Sequence, residues 1–200
     1  MYLPEHPIAH MEQLAYEKVT FEKTSWAGKT IKGKELLGCV FEKCDFSNSN
    51  FSGNKFIDCT FQGCNLSGMK INQCTLLNAR FIDCKILGVK FNECKELLFS
   101  VSFEACILDY SSFMGRKMVQ TKFIKSSLKE VNFIQANLAG SVFDQCDMTA
   151  AFFNETDLAG VNFVTAYNYS IDPELNKLKK ASFSEQGLAG LLGKYGINIV

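Results

Sequence analysis

Residues 41–66 read FEKCDFSNSNFSGNKFIDCTFQGCNL, in which every fifth residue is phenylalanine or leucine. The same spacing of large apolar residues extends from Phe21 to Phe91, restarts two residues out of phase at Phe103 and continues to Phe163. Chance would fill about half of these positions, because 47% of the chain is hydrophobic. A period of five fits neither an α-helix, with about 3.6 residues per turn, nor a β-strand, with two. The pattern therefore predicts a repeat architecture.

Two further columns accompany the large apolar residues. A small residue such as Cys44 or Ala136 usually stands two positions earlier, and ten of the fourteen glycines stand two positions later. Glycine tolerates the positive φ that tight corners need. We therefore expect each unit to point one large and one small side chain inward and then to turn. Four units would make a rung of twenty residues, and stacked rungs would lie about 4.8 Å apart, like strands in a sheet.

These units resemble pentapeptide repeats, a family with the pattern A-(D/N)-L-X-X. Cys44-Asp45-Phe46-Ser47-Asn48, Ala136-Asn137-Leu138-Ala139-Gly140 and Thr156-Asp157-Leu158-Ala159-Gly160 match that pattern. The resemblance implies an all-β fold, a right-handed quadrilateral β-helix, over residues 19–168. Residues 1–18 are expected to cap its first rung, because an open end would template aggregation. Residues 169–200 are expected to form a short C-terminal helical cap.

Composition excludes several classes of function. Lys plus Arg (21) balance Asp plus Glu (21), so the chain has no overall attraction to nucleic acid or to a membrane surface. The sequence contains no apolar run long enough to span a bilayer and no secretory leader, which predicts a cytoplasmic protein. It also contains no nucleophile–base constellation, no phosphate-binding glycine motif and no metal-ligand cluster. We therefore expect no catalysis, cofactor, metal or small-molecule substrate, and a function that depends on shape and surface charge.

The nine cysteines all fall in the small inward column. Stacked cysteines such as Cys44 and Cys64 would have parallel Cβ vectors, which is poor disulfide geometry. The C-x4-C spacing also differs from the C-x2-C pairs of zinc sites. We therefore expect reduced, buried cysteines that pack as small apolar residues.

The repeat is interrupted at residues 95–102, where Glu96 occupies a position that should be apolar. One interpretation is a bulge that absorbs two extra residues. The other is a projecting loop that contacts a partner, as loops on repeat scaffolds often do. In that case the contact residues would be Lys95, Glu96, Leu97, Leu98, Phe99 and Ser100.

The tail has helical signals. Asp172-Pro173-Glu174 predicts a helix that continues to about Lys180. Ser182-Phe183-Ser184-Glu185 reads as a capping box for a second, amphipathic helix that ends at Gly196, and residues 197–200 alternate like a strand. This tail either caps the last rung alone or also joins two copies in a two-fold dimer. The dimer interface would then comprise Leu188, Leu191, Leu192, Tyr195, Ile197 and Ile199.

Charge is uneven along the chain. Residues 19–100 carry eleven basic and eight acidic residues, whereas residues 130–176 carry seven acids and no Lys or Arg. The last rungs are therefore predicted to be anionic. Because the repeat phase places the acids on different faces, they would surround the rod as an acidic girdle. Its partner-binding residues are predicted to be Glu130, Asp144, Asp147, Glu155 and Asp157.

The helix-plus-strand tail and the frame break resemble those of Qnr-type quinolone-resistance proteins and microcin immunity proteins within the same family. That resemblance implies a dimeric rod that imitates duplex DNA and docks on the DNA-binding saddle of DNA gyrase or topoisomerase IV, without binding nucleic acid itself. The alternative is a protein-interaction scaffold with an unrelated partner, which would use the 95–102 loop or a flat face.

Overall fold

A computed structural model describes residues 11–198 of the chain. Its strands have only three or four residues each, because the chain turns after every five-residue unit. In chain order they are Ala15–Glu17 (β1), Thr20–Glu22 (β2), Glu35–Leu37 (β3), Val40–Glu42 (β4), Lys55–Ile57 (β5), Thr60–Gln62 (β6), Thr75–Leu77 (β7), Ala79–Ile82 (β8), Val101–Glu104 (β9), Lys122–Ile124 (β10) and Val142–Asp144 (β11).

The strands pair in parallel with a register of twenty residues, as in Phe21↔Phe41 and Phe41↔Phe61, except across the frame break, where Phe81 pairs with Phe103. They form a seven-stranded sheet, which we call face 1, and a four-stranded sheet, β1-β3-β5-β7, which lies on face 4. Isolated parallel bridges continue the same register on the two sides between them. Face 2 contains the bridge Asp45↔Asn65, and face 3 contains Asn50↔Lys70. The predicted all-β, right-handed quadrilateral β-helix is confirmed.

A phenylalanine column runs behind face 1. Because in-register pairing puts equivalent residues above one another, successive rings stack nearly parallel with centroids 4.7–5.3 Å apart. The column extends one turn beyond the predicted repeat and comprises Phe21, Phe41, Phe61, Phe81, Phe103, Phe123, Phe143, Phe163 and Phe183.

All nine cysteines are free and buried, as predicted. Each buried thiol can donate to a carbonyl of the turn below, as Cys64 Sγ does to Phe41 O at 3.2 Å and Cys74 Sγ does to Phe51 O at 3.0 Å. Burial raises the pKa of Cys74 and of Cys146 to about 11. The thiols of Cys74 and Cys146 therefore stay protonated near neutral pH and are poor nucleophiles.

The coil is longer than the sequence analysis predicts. It begins with β1 at Ala15, and the bridges Asp157↔Lys177 and Asn162↔Ser182 continue it past residue 168. The predicted helix over residues 172–180 is therefore wrong, and residues 173–175 form a turn. The reason is ladder pairing: Asn176 lies inside, where its side-chain oxygen accepts a hydrogen bond from Thr156 N at 3.0 Å. Such bonds between turns override a local helical propensity.

The end of the tail contains two short 3-10 helices, Gln186–Leu191 and Gly193–Tyr195, in place of the predicted amphipathic α-helix. Glycines allow this segment to lie directly on Tyr169, since a Cβ at Gly190 would be 2.4 Å from Tyr169 O. Gly196 ends the segment at φ 61°, as predicted. The predicted strand is absent at residues 197–198, while Ile199, Val200 and residues 1–10 lie outside the described part of the chain.

Between residues 11 and 198 no helix is long and apolar enough to cross a membrane.

Candidate partner-binding surfaces

The five acids of the acidic girdle lie on different sides of the rod. Asp144 is in β11 on face 1, Asp147 is bridged to Ser127 on face 2, and Asp157 is bridged to Asn137 on face 4. Glu130 and Glu155 occupy corners with φ 55°. The acids therefore surround the rod and do not form one stripe.

Lysines from neighbouring turns neutralise part of this girdle. Lys129 Nζ lies 3.3 Å from Asp147, and Lys177 Nζ lies 3.7 Å from Asp157. Burial opposes ionisation of Asp147, but hydrogen bonds from Thr149 and Asn168 and the contact with Lys129 outweigh it and lower its pKa. Both lysines stand just outside residues 130–176, so the stretch without basic residues is anionic in the sequence but not in space. Within residues 11–198 no ion pair is recorded for Glu130, Asp144 or Glu155.

A third lysine pairs with the two remaining acids of that stretch and offsets one of their two charges. Lys194 Nζ contacts Asp172 at 2.8 Å and Glu174 at 2.7 Å. Hydrogen bonds to Asp172 and Glu174 raise the pKa of Lys194, and the same contact lowers the pKa of Asp172. The three groups attach the last 3-10 helix to the final turn of the coil, so their role here is structural.

The frame break is a projecting loop. Leu97 is 78% exposed and Leu98 is 58% exposed, and Leu98 has a φ of 63°, which is strained for leucine. Phe99 turns the other way and packs against the core. The structure therefore places the predicted contact residues in two groups: the loop tip faces solvent, and Phe99 anchors the loop.

Arg116 holds this anchor in place, and sequence reasoning missed it. It occupies the small inward column two residues before Met118 and is only 6% exposed. Its Nη2 donates to Asn92 O at 2.6 Å and to Cys94 O, and its guanidinium lies 5.2 Å from the centroid of the Phe99 ring. The available signal was an arginine in a column that otherwise holds mostly small residues.

An aliphatic stripe on face 4 passes through the same region. It consists of outward-facing residues that directly follow inward centres, in the register Leu37↔Ile57↔Leu77, and it resumes at Val119 above the loop. A groove of about 340 Å³ lies between Leu98 and Val119. Leu98 and Val119 both line this groove, a feature that the sequence analysis did not identify.

The C-terminal end is also apolar. Among the predicted dimer residues, Leu188, Leu192, Tyr195 and Ile197 are exposed, and Tyr195 is 57% exposed. Leu191 instead packs against the core, so it belongs to the cap. Ile199 lies outside the described residues. Dimerisation through this end stays a prediction.

No group of three or more His, Cys, Asp or Glu side chains within residues 11–198 is placed to hold a metal ion. The described surface has three candidate contact areas: the partly neutralised girdle, the projecting loop and the apolar end.

Comparisons with known proteins agree with this architecture. No curated protein matches the chain. Among solved structures, full-length QnrB1, a plasmid-mediated fluoroquinolone resistance protein, is 16% identical, with a TM-score of 0.64 over 89% of this chain and 100% of that chain. HetL from the cyanobacterium Nostoc sp., involved in heterocyst differentiation regulation, is 14% identical, with a TM-score of 0.64 over 87% of this chain and 89% of that chain. The model of the pentapeptide repeat region matches residues 34–96 and 88–163. The chain therefore belongs to the pentapeptide-repeat family.

Proposed function

We propose that this chain is a non-enzymatic DNA mimic that binds DNA gyrase or topoisomerase IV. The observation that carries the proposal is the position of the acidic girdle next to an exposed apolar end. Two copies joined through Leu192 and Tyr195 would bring both girdles to the middle of a longer rod. The likeness in fold to QnrB1, a fluoroquinolone resistance protein, supports the same function.

The mimicry would be sparse. Duplex DNA carries one charge per about 1.7 Å of its axis, whereas rungs of a β-helix are about 4.8 Å apart. Ion pairs with Lys129 and Lys177 remove two of the five girdle charges. Glu130, Asp144 and Glu155 are therefore the acids that would face a basic saddle. Binding should weaken as salt is added, since exposed charges are screened within about 10 Å at 0.1 M salt.

A supercoiling assay with graded protein tests this proposal. The wild-type protein should inhibit gyrase or relieve quinolone poisoning at micromolar concentrations, and the triple variant Glu130→Gln, Asp144→Asn, Glu155→Gln should lose the effect. A matched control removes three charges from the other half of the rod with Glu42→Gln, Asp58→Asn and Asp83→Asn and should behave like the wild type. No effect of the wild-type protein on either enzyme would refute topoisomerase binding.

A second candidate function is a protein-interaction scaffold with an unrelated partner. The loop tip favours it, because Leu97 and Leu98 are both exposed and adjacent exposed apolar residues can mark a contact site. In a pull-down from bacterial lysate, Leu97→Ser with Leu98→Ser should abolish capture of that partner. Leu14→Ser, at another exposed leucine, serves as the control. Topoisomerase subunits as the dominant captured proteins would favour the first function.

A further inference from the structure

On face 3 the series of isolated parallel bridges lacks one step, between Lys70 and Lys90, and we call this break the gap. Below the gap, Phe51 N donates to Lys70 O at 2.9 Å, and above it, Ser112 N donates to Val89 O at 3.0 Å. Across the gap, the equivalent N–H groups of Ile71 and Lys90 have no recorded partner in the described chain. The bridges accordingly fall into two runs, Thr30–Asn50–Lys70 and Lys90–Ser112–Asn132–Phe152.

Fixed contacts hold the gap open. Phe91–Glu93 form a 3-10 turn, and Gln73 N donates to Glu93 O at 2.8 Å. One turn below, the equivalent Gly53 N donates to Asn72 O, so the regular partner of Gln73 would be the carbonyl of Asn92. That carbonyl instead accepts a hydrogen bond from Arg116. The rung that contains Asn92 and Glu93 is therefore shifted by one residue relative to the rung below it. Specific hydrogen bonds hold it in this shifted register, so the gap does not result from fraying.

The gap opens into a groove of about 380 Å³, with Gly68, Lys70, Ile71, Asn72, Lys90 and Glu93 among its walls. The Glu93 carboxylate accepts a hydrogen bond from Asn72 Nδ2 at 2.5 Å and lies 3.7 Å from Lys90 Nζ. The Lys70 ammonium has no recorded ion pair among the described residues. The groove is therefore rich in donors and weakly positive.

The unpaired backbone groups show a specific pattern. Two N–H groups, of Ile71 and Lys90, and one carbonyl, of Met69, lack the partners that their equivalents have in neighbouring turns. An inorganic anion without an O–H group, such as sulfate, could accept from both N–H groups but would leave Met69 O unpaired. The last residue of a peptide supplies both kinds of group, since its carboxylate accepts two hydrogen bonds and its own N–H donates one.

We propose that this groove binds the C-terminal carboxylate of a peptide. The carboxylate oxygens accept from Ile71 N–H and Lys90 N–H, and the N–H of the terminal residue donates to Met69 O. The Lys70 and Lys90 ammonium groups add charge complementarity. The site is separate from the acidic girdle, from the loop tip and from the apolar end, so it stands independently of the proposed function.

The open ladder is tested first by amide hydrogen exchange on the full chain. The amides of Ile71 and Lys90 should exchange much faster than those of Phe51 and Ser112, which occupy equivalent positions in the closed ladder. Equal protection of all four amides would mean that the ladder is closed, and the site would not exist.

Binding is tested by titrating N-acetyl-Ala-Ala-Ala into the ¹⁵N-labelled full chain. The peptide should shift the amide signals of Ile71 and Lys90, and its C-terminal amide should bind at least roughly tenfold more weakly, because hydrogen bonds to a charged acceptor are the stronger kind. The double variant Lys70→Gln, Lys90→Gln should lose a similar factor. Lys122→Gln, at an exposed lysine on face 1, should leave affinity unchanged.

Three outcomes would overturn the proposal. Equal affinity for the acid and the amide would exclude carboxylate recognition. If Lys122→Gln weakened peptide binding as much as the double variant, the loss of affinity would reflect overall charge and not the groove. Sulfate, which has no O–H donor at neutral pH, would make the groove a general anion site if it bound as tightly as the peptide, and would reject the role of Met69 O.

Discussion

At the scale of single residues, the position within a unit decides what a side chain contributes. Phe123 stacks between Phe103 and Phe143 at 5.3 and 4.8 Å and is fully buried. Phe152, the same residue type in an outward position on face 3, is 50% exposed. The two are the same residue type, one pointing inward on face 1 and one outward on face 3, so comparing them measures the energy of the internal column.

Phe123→Ala should lower the free energy of unfolding by roughly 3–5 kcal/mol, because it removes stacked contacts and leaves a cavity. Phe152→Ala should change it by less than about 1 kcal/mol. Denaturant unfolding followed by circular dichroism compares the two. Similar losses for both variants would mean that the stacked column does not dominate stability.

Buried thiols give a second prediction at this scale. Burial raises the pKa of Cys74 and Cys146 from 9.0 to about 11, so the folded state disfavours their thiolates. The protonated thiols of Cys74 and Cys146 therefore make their full contribution to folding stability below pH 9, and this contribution is lost as the pH rises towards 11. Unfolding free energies measured across this window should fall more steeply for the wild type than for the double variant Cys74→Ala, Cys146→Ala. Parallel curves would contradict the assigned burial.

At the scale of elements, the frame break is a loop, a 3-10 turn and a ladder gap held together by one side chain. Arg116 joins Asn92 O and Cys94 O and covers the ring of Phe99. Two extra residues could be absorbed in a bulge that does not project from the rod. The buried guanidinium binds the carbonyl of Asn92, the regular partner of Gln73 N, and covers Phe99, which anchors the loop whose tip bears Leu97 and Leu98.

Arg116→Ala should destabilise the protein by roughly 1.5–3 kcal/mol, the usual range for hydrogen bonds to a charged group. It should also speed amide exchange across residues 92–100. Arg80→Ala, at an exposed position in β8, is the control and should change stability by about 0.5 kcal/mol or less. Unchanged exchange in the loop would show that Phe99 alone holds it.

At the scale of the whole molecule, a rod offers its ends for association with other copies. Its C-terminal end is closed by 3-10 helices that lie on Tyr169 and still expose Leu192 and Tyr195. A lid that only protected the last rung would not need exposed apolar residues on its outer surface. The acidic girdle lies next to this end, so association through it would determine how the remaining charges are presented to a partner.

Leu192→Glu should convert a dimer into a monomer in sedimentation velocity, because it places a charge in the predicted interface. The β-helix signal in circular dichroism should be retained. Leu97→Glu, on the loop tip, should leave the dimer intact. A dimer that survives Leu192→Glu would place the interface on another surface.

The five-residue spacing by itself determined the repeat, the inward columns and the buried state of the cysteines, because these follow from which residues share a phase. The tertiary structure decided what happens between turns. Lys129 neutralises Asp147, Arg116 binds the carbonyl of Asn92, and the segment expected to be helical at 172–180 pairs as another rung. Local sequence does not specify these contacts, since each joins groups about twenty residues apart whose meeting depends on register and on the two extra residues of the frame break.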